Sequence, residues 1–328
     1  MRRRDIIAIF AGVSLLHPLT ALAQQAKKTW RIGFLGDGPR AERAPIALEP
    51  FLEGLRELGY AVGADVLIEE RWSEGDISRL GALAMELVGL KADVIVTHGI
   101  PATTALHAAT QTVPIVVAVA PDLVATGFAA SLARPGGNVT GLTDQVSDFA
   151  EKEIQILHDA LPRLQRIAIL WNKTNRGAAL TFEATQRAAE KARLDIYSVN
   201  AATPAELDSA IAEAARGRPD GLVVIHDTLT TGYRRQVAAA AMKYGLPSIC
   251  ASSPYVEAGG MIAYAPDLPR LFKRAAGFVD RIFHGAKPAE MPIEQPTRFE
   301  LRINLITAKA LGIAIPPTLL SWADQVIE

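Results

Sequence analysis

The sequence has one cysteine, few aromatic residues and no excess of either charge. Cys250 stands alone among 328 residues, so no internal disulfide can form and the fold must rest on buried cores. The 34 Lys and Arg residues balance 35 Asp and Glu residues, leaving a net charge of -1. That balance gives no positive field to attract nucleic acid or an anionic membrane, so we expect neither partner.

Long apolar runs are also missing after the N-terminus, which excludes further membrane-spanning helices of about 18 residues or more. The N-terminus itself combines a basic start at 2–4 (RRR), an apolar run at 6–16 and a small-residue site at 21–23 (ALA). These are the three parts of a secretory signal peptide. We therefore predict that residues 1–23 are a signal peptide, cleaved after Ala23, that exports the protein. The paired arginines leave both the general secretory and the twin-arginine route open.

What the sequence does contain is an alternation of short apolar runs with longer amphipathic stretches. Strands are predicted at 31–36, 65–72, 93–97, 114–119, 166–171, 195–199, 220–225 and 247–250. Helices are predicted at 47–58, 80–90, 101–110, 177–192, 204–215 and 233–244. Strands that are apolar on both faces and linked by helices indicate a parallel sheet covered on both sides.

The second half of the chain repeats the pattern of the first. Residues 91–98 (KADVIVTH) and 218–226 (RPDGLVVIH) are similar, and each is followed by a predicted helix and strand. With 328 residues, the chain is long enough for two domains of about 100–150 residues each. The predicted fold class is α/β, with two doubly wound, Rossmann-like lobes built on parallel sheets.

Three turn-rich segments separate these units, at 134–141, 255–264 and 288–296. Three such joints in a two-lobed chain indicate that it crosses between the lobes three times. Crossings of this kind supply hinges that let two lobes close around a ligand.

Several segments resemble a known family, and the similarity extends over essentially the whole chain after residue 23. They lie at 51–60 (FLEGLRELGY), 131–142 (SLARPGGNVTGL), 255–260 (YVEAGG), 294–304 (EQPTRFELRIN) and 308–312 (AKALG). The chain resembles the ABC-transporter substrate-binding proteins of the type 1 periplasmic binding fold, in the group that includes tryptophan- and tyrosine-binding members.

This resemblance implies one lobe at 30–142 plus 261–290 and a second at 143–260 plus 291–328. It also implies a monomeric periplasmic protein that delivers a small molecule to an inner-membrane ABC permease. Two alternatives remain: a sensor that signals to a membrane receptor, and a secreted α/β enzyme. Catalytic, cofactor and metal motifs are missing, so we expect no enzyme, no cofactor and no metal.

The ligand is expected at the carboxyl ends of the parallel strands, where such sheets bind their ligands. In the first lobe the candidate residues are Gly36, Asp37, His98, Gly99, Ile100, Pro101, Ala102, Thr103 and Asp122. In the second lobe they are Asn172, Asn175, Asp227, Thr228 and Tyr264.

We expect an amino-acid-like ligand, aromatic or branched. Its carboxylate would lie at the helix start at 99–104, and its ammonium group near Asp122 or Asp227. Two departures from the family pattern bear on the ligand: Ile100 replaces a hydroxyl residue, and Leu123 replaces proline. The alternative is that these polar residues merely cap helices, as Asp, Asn and Thr often do. His98 and His226 occupy matching strand ends and are expected to line or flank the cleft.

Overall fold

The computed structural model of the protein describes residues 28–144 and 146–328. The predicted signal peptide at 1–23 lies outside the described residues. Five strands form the first sheet, in the order β2-β1-β3-β4-β5: β1 (Trp30–Gly36), β2 (Val66–Trp72), β3 (Val94–Thr97), β4 (Ile115–Val117) and β5 (Val139–Gly141).

Seven strands form the second sheet, in the order β12-β11-β10-β9-β8-β6-β7. They are β6 (Arg166–Trp171), β7 (Asp195–Asn200), β8 (Gly221–Val224), β9 (Ser248–Cys250), β10 (Ile262–Pro266), β11 (Phe299–Asn304) and β12 (Gln325–Ile327). β10 and β11 pair antiparallel, whereas the pairing of β6, β7, β8 and β9 is parallel. The fold class is therefore the predicted one, two α/β lobes with predominantly parallel sheets.

The helices cover both faces of each sheet. In chain order they are α1 (Arg40–Arg43), α2 (Leu48–Glu57), α3 (Leu80–Gly89), α4 (Ile100–Ala109), α5 (Val146–Ala160), α6 (Arg176–Lys191), α7 (Leu207–Arg216), α8 (Thr228–Gly232), α9 (Arg234–Lys243), α10 (Ser253–Glu257), α11 (Leu268–Phe283), α12 (Leu305–Ala310) and α13 (Pro317–Leu320). Within the described chain, none of them has the length and apolar character needed to cross a bilayer.

Strand β3 shows why the sheets are covered on both sides. All four of its residues are buried. Val94 and Val96 belong to the core that α2 and α11 cover, while Ile95 belongs to the opposite core under α3 and α4. Because successive side chains of a strand point to opposite faces, apolar residues at every position require a layer of helices on each side.

Helix α11 joins the first lobe although it follows strands of the second sheet. It packs closely on α2, where a Cβ atom at Gly54 would lie 2.6 Å from the backbone oxygen of Lys273. Phe272 of α11 also contacts Phe34 of β1, with ring centroids 6.4 Å apart. This packing fixes α11 on the sheet face that leads to the cleft.

The structure places two lobe boundaries later in the chain than the expected positions at 260/261 and 290/291. β10 pairs with β9 and β11, so the chain leaves the second lobe after Pro266. Asp267 then caps α11, its side chain accepting a hydrogen bond from the Arg270 backbone N–H. Met291 and Ile293 are buried in the cores of the first lobe, so the last crossing follows them. The first joint also differs, because 139–141 form the edge strand β5 rather than a turn.

Candidate ligand-binding site

A cavity lies where the carboxyl ends of the two sheets face each other. Residues of both lobes line it, and the space between the wall atoms, counted together with open solvent, is about 520 Å³. Seven of the residues predicted from sequence lie in its wall: Asp37, His98, Gly99, Ile100, Asn175, Asp227 and Thr228.

The other predicted residues lie outside this wall. Gly36 packs against Trp72, whose ring would lie 2.0 Å from a Cβ atom at position 36. Pro101, Ala102 and Thr103 form the first turn of α4, and the Thr103 hydroxyl donates to the Gly99 carbonyl oxygen.

Two of the predicted polar residues outside the wall cap their own loops. The Asp122 Oδ1 atom accepts from the backbone N–H groups of Val124 and Ala125, at 3.2 and 2.9 Å. The Asn172 Oδ1 atom accepts from the backbone and hydroxyl of Thr174. For these residues the capping alternative matches the structure.

On the first-lobe side, three buried polar side chains form a cluster. Asp37 follows β1, His98 follows β3, and Arg43 ends the short helix α1. The Arg43 Nη2 atom lies 2.8 Å from His98 Nδ1 and 3.8 Å from Asp37 Oδ1. Burial and the Arg43 charge hold the pKa of His98 well below its ordinary value, so the imidazole is neutral. Burial raises the pKa of Asp37, against the opposing effects of Arg43 and a hydrogen bond from Thr228.

The second-lobe side is organised by helix starts. Asp227 caps α8, its Oδ1 atom accepting from the Thr230 backbone N–H at 2.9 Å, and the Asn175 side-chain amide donates to Asp227 Oδ2. Asn175 in turn caps α6. Burial, together with the charge of Arg43 and the proximity of His98, lowers the pKa of His226 to about 3, so this imidazole is neutral too.

A second cavity adjoins the first, with about 410 Å³ of space between its wall atoms when open solvent is included. Pro121, Asp144 and His226 line both, so they form the border between them. The rest of the second cavity is largely apolar, lined by Phe149, Thr181, Ala251 and Pro266. The predicted residue Tyr264 lies behind this wall and packs on Phe149, with ring centroids 5.4 Å apart.

Several polar atoms around the cavities are buried without a hydrogen-bond partner among the described residues. They are Oδ1 of Asp37, Nε and Nη1 of Arg43, Nε2 of His98 and Oδ1 of Asp144. Leaving a buried polar group unpaired costs about 1–3 kcal/mol. A ligand with complementary polar groups would recover that free energy. The arrangement thus favours binding of a polar small molecule.

Sequence reasoning missed Arg43, Asp144 and Phe149. Asp144 lies three residues beyond the end of β5, so the same strand-end rule would have identified it had 139–141 been recognised as a strand. Arg43 lies in a four-residue helix that is too short to leave a periodic pattern. Phe149 belongs to α5, which begins directly after the first crossing between the lobes.

Comparison with known proteins identifies the family and the fold. The chain is 25% identical to the "Tyrosine-binding protein" of Clostridioides difficile in an alignment 326 positions long, which covers 95% of this chain and 93% of the relative. A Streptococcus pneumonia ABC domain in complex with L-Trp is 26% identical, with a TM-score of 0.85 over 92% of this chain and all of that one.

A conserved domain protein of Vibrio cholerae is also 26% identical, with a TM-score of 0.86 over 91% of this chain and 100% of that chain. The fold is that of the type 1 periplasmic binding proteins. Residues 46–327 match the sequence profile described as "ABC transporter substrate binding protein". Because this match extends over most of the chain, the protein belongs to the family of ABC transporter substrate-binding proteins.

Proposed function

We propose that the protein is the periplasmic solute-binding component of an ABC import system and that it captures an amino acid between its lobes. The observation that carries this proposal is the paired cavity. One part is lined by charged groups of both signs, including the buried Arg43 and the partly buried Asp144, and the adjoining part is lined by Phe149 and other largely apolar residues. An amino acid presents the same combination, with an ammonium group, a carboxylate and a side chain.

The relatives support an aromatic ligand. The Clostridioides difficile relative is named for tyrosine, and the Streptococcus structure contains L-Trp. Phe149 offers a ring face of the kind on which aromatic side chains pack. Tyrosine and tryptophan are therefore the first candidates, followed by phenylalanine and the branched amino acids. The predicted signal peptide at 1–23 supports export to the periplasm.

Contacts across the cleft support capture by lobe closure. Arg234 of the second lobe lies 2.8 Å from the Glu42 carboxylate of the first. Arg176 of α6 donates to the carbonyl oxygens of Ala125 and Thr126. Gly177 packs against Ile100, whose Cγ1 atom would lie 2.7 Å from a Cβ at 177. A ligand that contacts both lobes stabilises this closed form over an open one, and the closed form presents both lobes to a permease.

The direct test is to purify the exported protein, denature it and identify any released small molecule by mass spectrometry. A thermal-shift screen of the twenty amino acids, followed by calorimetry, should show the largest stabilisation with an aromatic amino acid. A strain that lacks the gene should also lose high-affinity uptake of that amino acid. Absence of a shift with any amino acid would overturn the proposed ligand class.

A further inference from the structure

Asp144 occupies the first crossing between the lobes and is held there by its backbone. Its N–H donates to the Ala120 carbonyl oxygen at 3.0 Å, and the preceding Thr143 N–H donates to the Glu294 carbonyl oxygen at 2.9 Å. The Thr143 hydroxyl also donates to Ala120. These bonds hold the Asp144 carboxyl group at the border between the two cavities.

The other two carboxylates of the first cavity are already engaged. Asp227 accepts hydrogen bonds at Oδ1 from Thr230 and at Oδ2 from Asn175. Asp37 accepts from Thr228 at Oδ2, and its Oδ1 atom lies 3.8 Å from the Arg43 Nη2 atom, so a cation already compensates this carboxylate. Asp144 differs in this respect: its Oδ1 atom, like that of Asp37, is buried without a hydrogen-bond partner among the described residues, but burial is the only cause of its pKa shift.

Among the described residues, no cation compensates the Asp144 carboxylate. Burial alone accounts for its raised pKa of about 7. His226, which lines both cavities with it, is neutral because its pKa is about 3. A positively charged ligand group at this border would therefore meet a carboxylate that no described cation already neutralises.

Arg43 is a cation in the wall of the first cavity. Its Nη2 atom contacts His98, which orients the guanidinium group, while Nε and Nη1 have no partner among the described residues. These free N–H groups can donate charge-assisted hydrogen bonds to a carboxylate.

We propose that Asp144 binds the α-ammonium group of the ligand and that Arg43 binds its α-carboxylate. The side chain then extends into the second cavity beside Phe149. This assignment rests on the proposed capture of an amino acid. It places the α-carbon at the border of the two cavities, where its three substituents diverge toward Asp144, Arg43 and Phe149. It also replaces the roles expected from the sequence, which placed the ammonium group near Asp122 or Asp227 and the carboxylate at the helix start at 99–104.

The test compares the tightest-binding amino acid with two analogues, one lacking the ammonium group and one lacking the carboxylate. For L-tryptophan these are indole-3-propanoic acid and tryptamine. Calorimetry on the wild-type protein should show that each deletion weakens binding by about 10- to 150-fold, the range of a hydrogen bond to a charged group. In Asp144→Asn the amino acid and its deaminated analogue should bind within about threefold of each other. In Arg43→Gln the affinities for the amino acid and for the amine that lacks the carboxylate should likewise be similar.

Asp195→Asn is the matched control, since this aspartate is 72% exposed on an edge strand and should leave every ratio unchanged. Wild-type ratios in Asp144→Asn would overturn the assignment of the ammonium group, and wild-type ratios in Arg43→Gln that of the carboxylate. If neither variant folds, proton release by the wild-type protein decides. At pH 6.5 the amino acid should release a proton that its deaminated analogue does not, and equal release would overturn the assignment. Failure of every amino acid to bind the wild-type protein would instead remove the proposed function.

Discussion

Thr228 of the second lobe donates its hydroxyl hydrogen bond to Oδ2 of Asp37 in the first lobe. The two residues are 191 positions apart in the sequence, and the bond crosses the cavity that they line. It is a direct link between the lobes at the proposed binding site. It also ties the buried Asp37 carboxylate to the start of α8, so it can exist only when the lobes are closed.

Replacing Thr228 with valine should therefore weaken ligand binding by destabilising the closed form. A hydrogen bond to a charged group contributes about 1.5–3 kcal/mol, so a loss of about 10-fold or more in affinity is expected. Calorimetry gives the affinity, and small-angle scattering should show a more open ligand-free protein. Thr203→Val, at an exposed position, is the control and should match the wild type. Unchanged affinity and scattering in Thr228→Val would show that this bond does not hold the lobes together.

Phe149→Ala should reduce affinity for aromatic amino acids more than for small ones. Phe149 lines the second cavity and packs on Tyr264 and Phe299, so its removal enlarges the proposed side-chain pocket and takes away a ring face. An aromatic pair stabilises binding by about 0.5–1.5 kcal/mol beyond the effect of the buried area. Its loss should therefore lower the preference for tyrosine over alanine by about 2- to 13-fold. Competition calorimetry with tyrosine and alanine measures the change. Phe149→Leu should retain more of the affinity, and equal losses for both ligands would contradict the pocket.

Ligand affinity should rise with pH between 5.5 and 8. The pKa of Asp144 in the free protein is raised to about 7 by burial, so the carboxyl group is largely protonated below that pH. An ammonium ligand binds the ionised form, and so each unit below the pKa should cost up to about tenfold in affinity. Calorimetric titrations across this range test the slope. Asp144→Asn should show a flatter profile, and a wild-type slope in this variant would assign the effect to another group.

Glu153 should make the folded protein less stable as the pH rises. It lies on α5, is 2% exposed, and has no hydrogen-bond partner for Oε1 among the described residues. Burial raises its pKa from 4.5 to about 8, so between those values the folded state holds a proton that the unfolded state has lost. The stability contributed by this group is complete below pH 4.5 and is lost as the pH approaches 8.

Glu153→Gln should therefore be more stable than the wild type at pH 8 and should lose less stability across this range. The substitution should reduce the pH dependence of the free energy of unfolding by up to about 1.4 kcal/mol per pH unit. Urea unfolding at pH 5 and pH 8 measures it. Glu151→Gln, at the exposed partner of Lys191, serves as the control and should follow the wild type.

The fold could be predicted further than the site. The alternation of buried strands and amphipathic helices predicted four strands of each sheet, β1–β4 and β6–β9, because such segments can bury their apolar surface in few other ways. It did not predict β5, β10, β11 or β12. Strand ends then located Asp37, His98 and Asp227 correctly at the cavity wall. Asp122 and Asn172 follow the same rule but turn back to their own loops, since short polar side chains readily bond to nearby backbone groups.

The crossing after α10 was misplaced for a similar local reason. The pair Gly259-Gly260 resembles a joint, yet Gly260 is required because a Cβ there would lie 2.1 Å from the Tyr255 ring. That close contact lets the chain pass directly from α10 into β10 within the same lobe. No local pattern distinguishes a glycine that frees the backbone from one that makes room for a neighbouring ring.

The contact between Gly177 and Ile100 affects which ligands the protein can bind, although it lies away from the ligand itself. Since a single methyl group there would press on Ile100, this position limits how near the two halves can come. Gly177 therefore helps to determine how thick a ligand can fit between the lobes, although it has no side chain that could contact the ligand. A larger residue at position 177 should keep the two lobes further apart. The protein should then bind bulky ligands more tightly than thin ones.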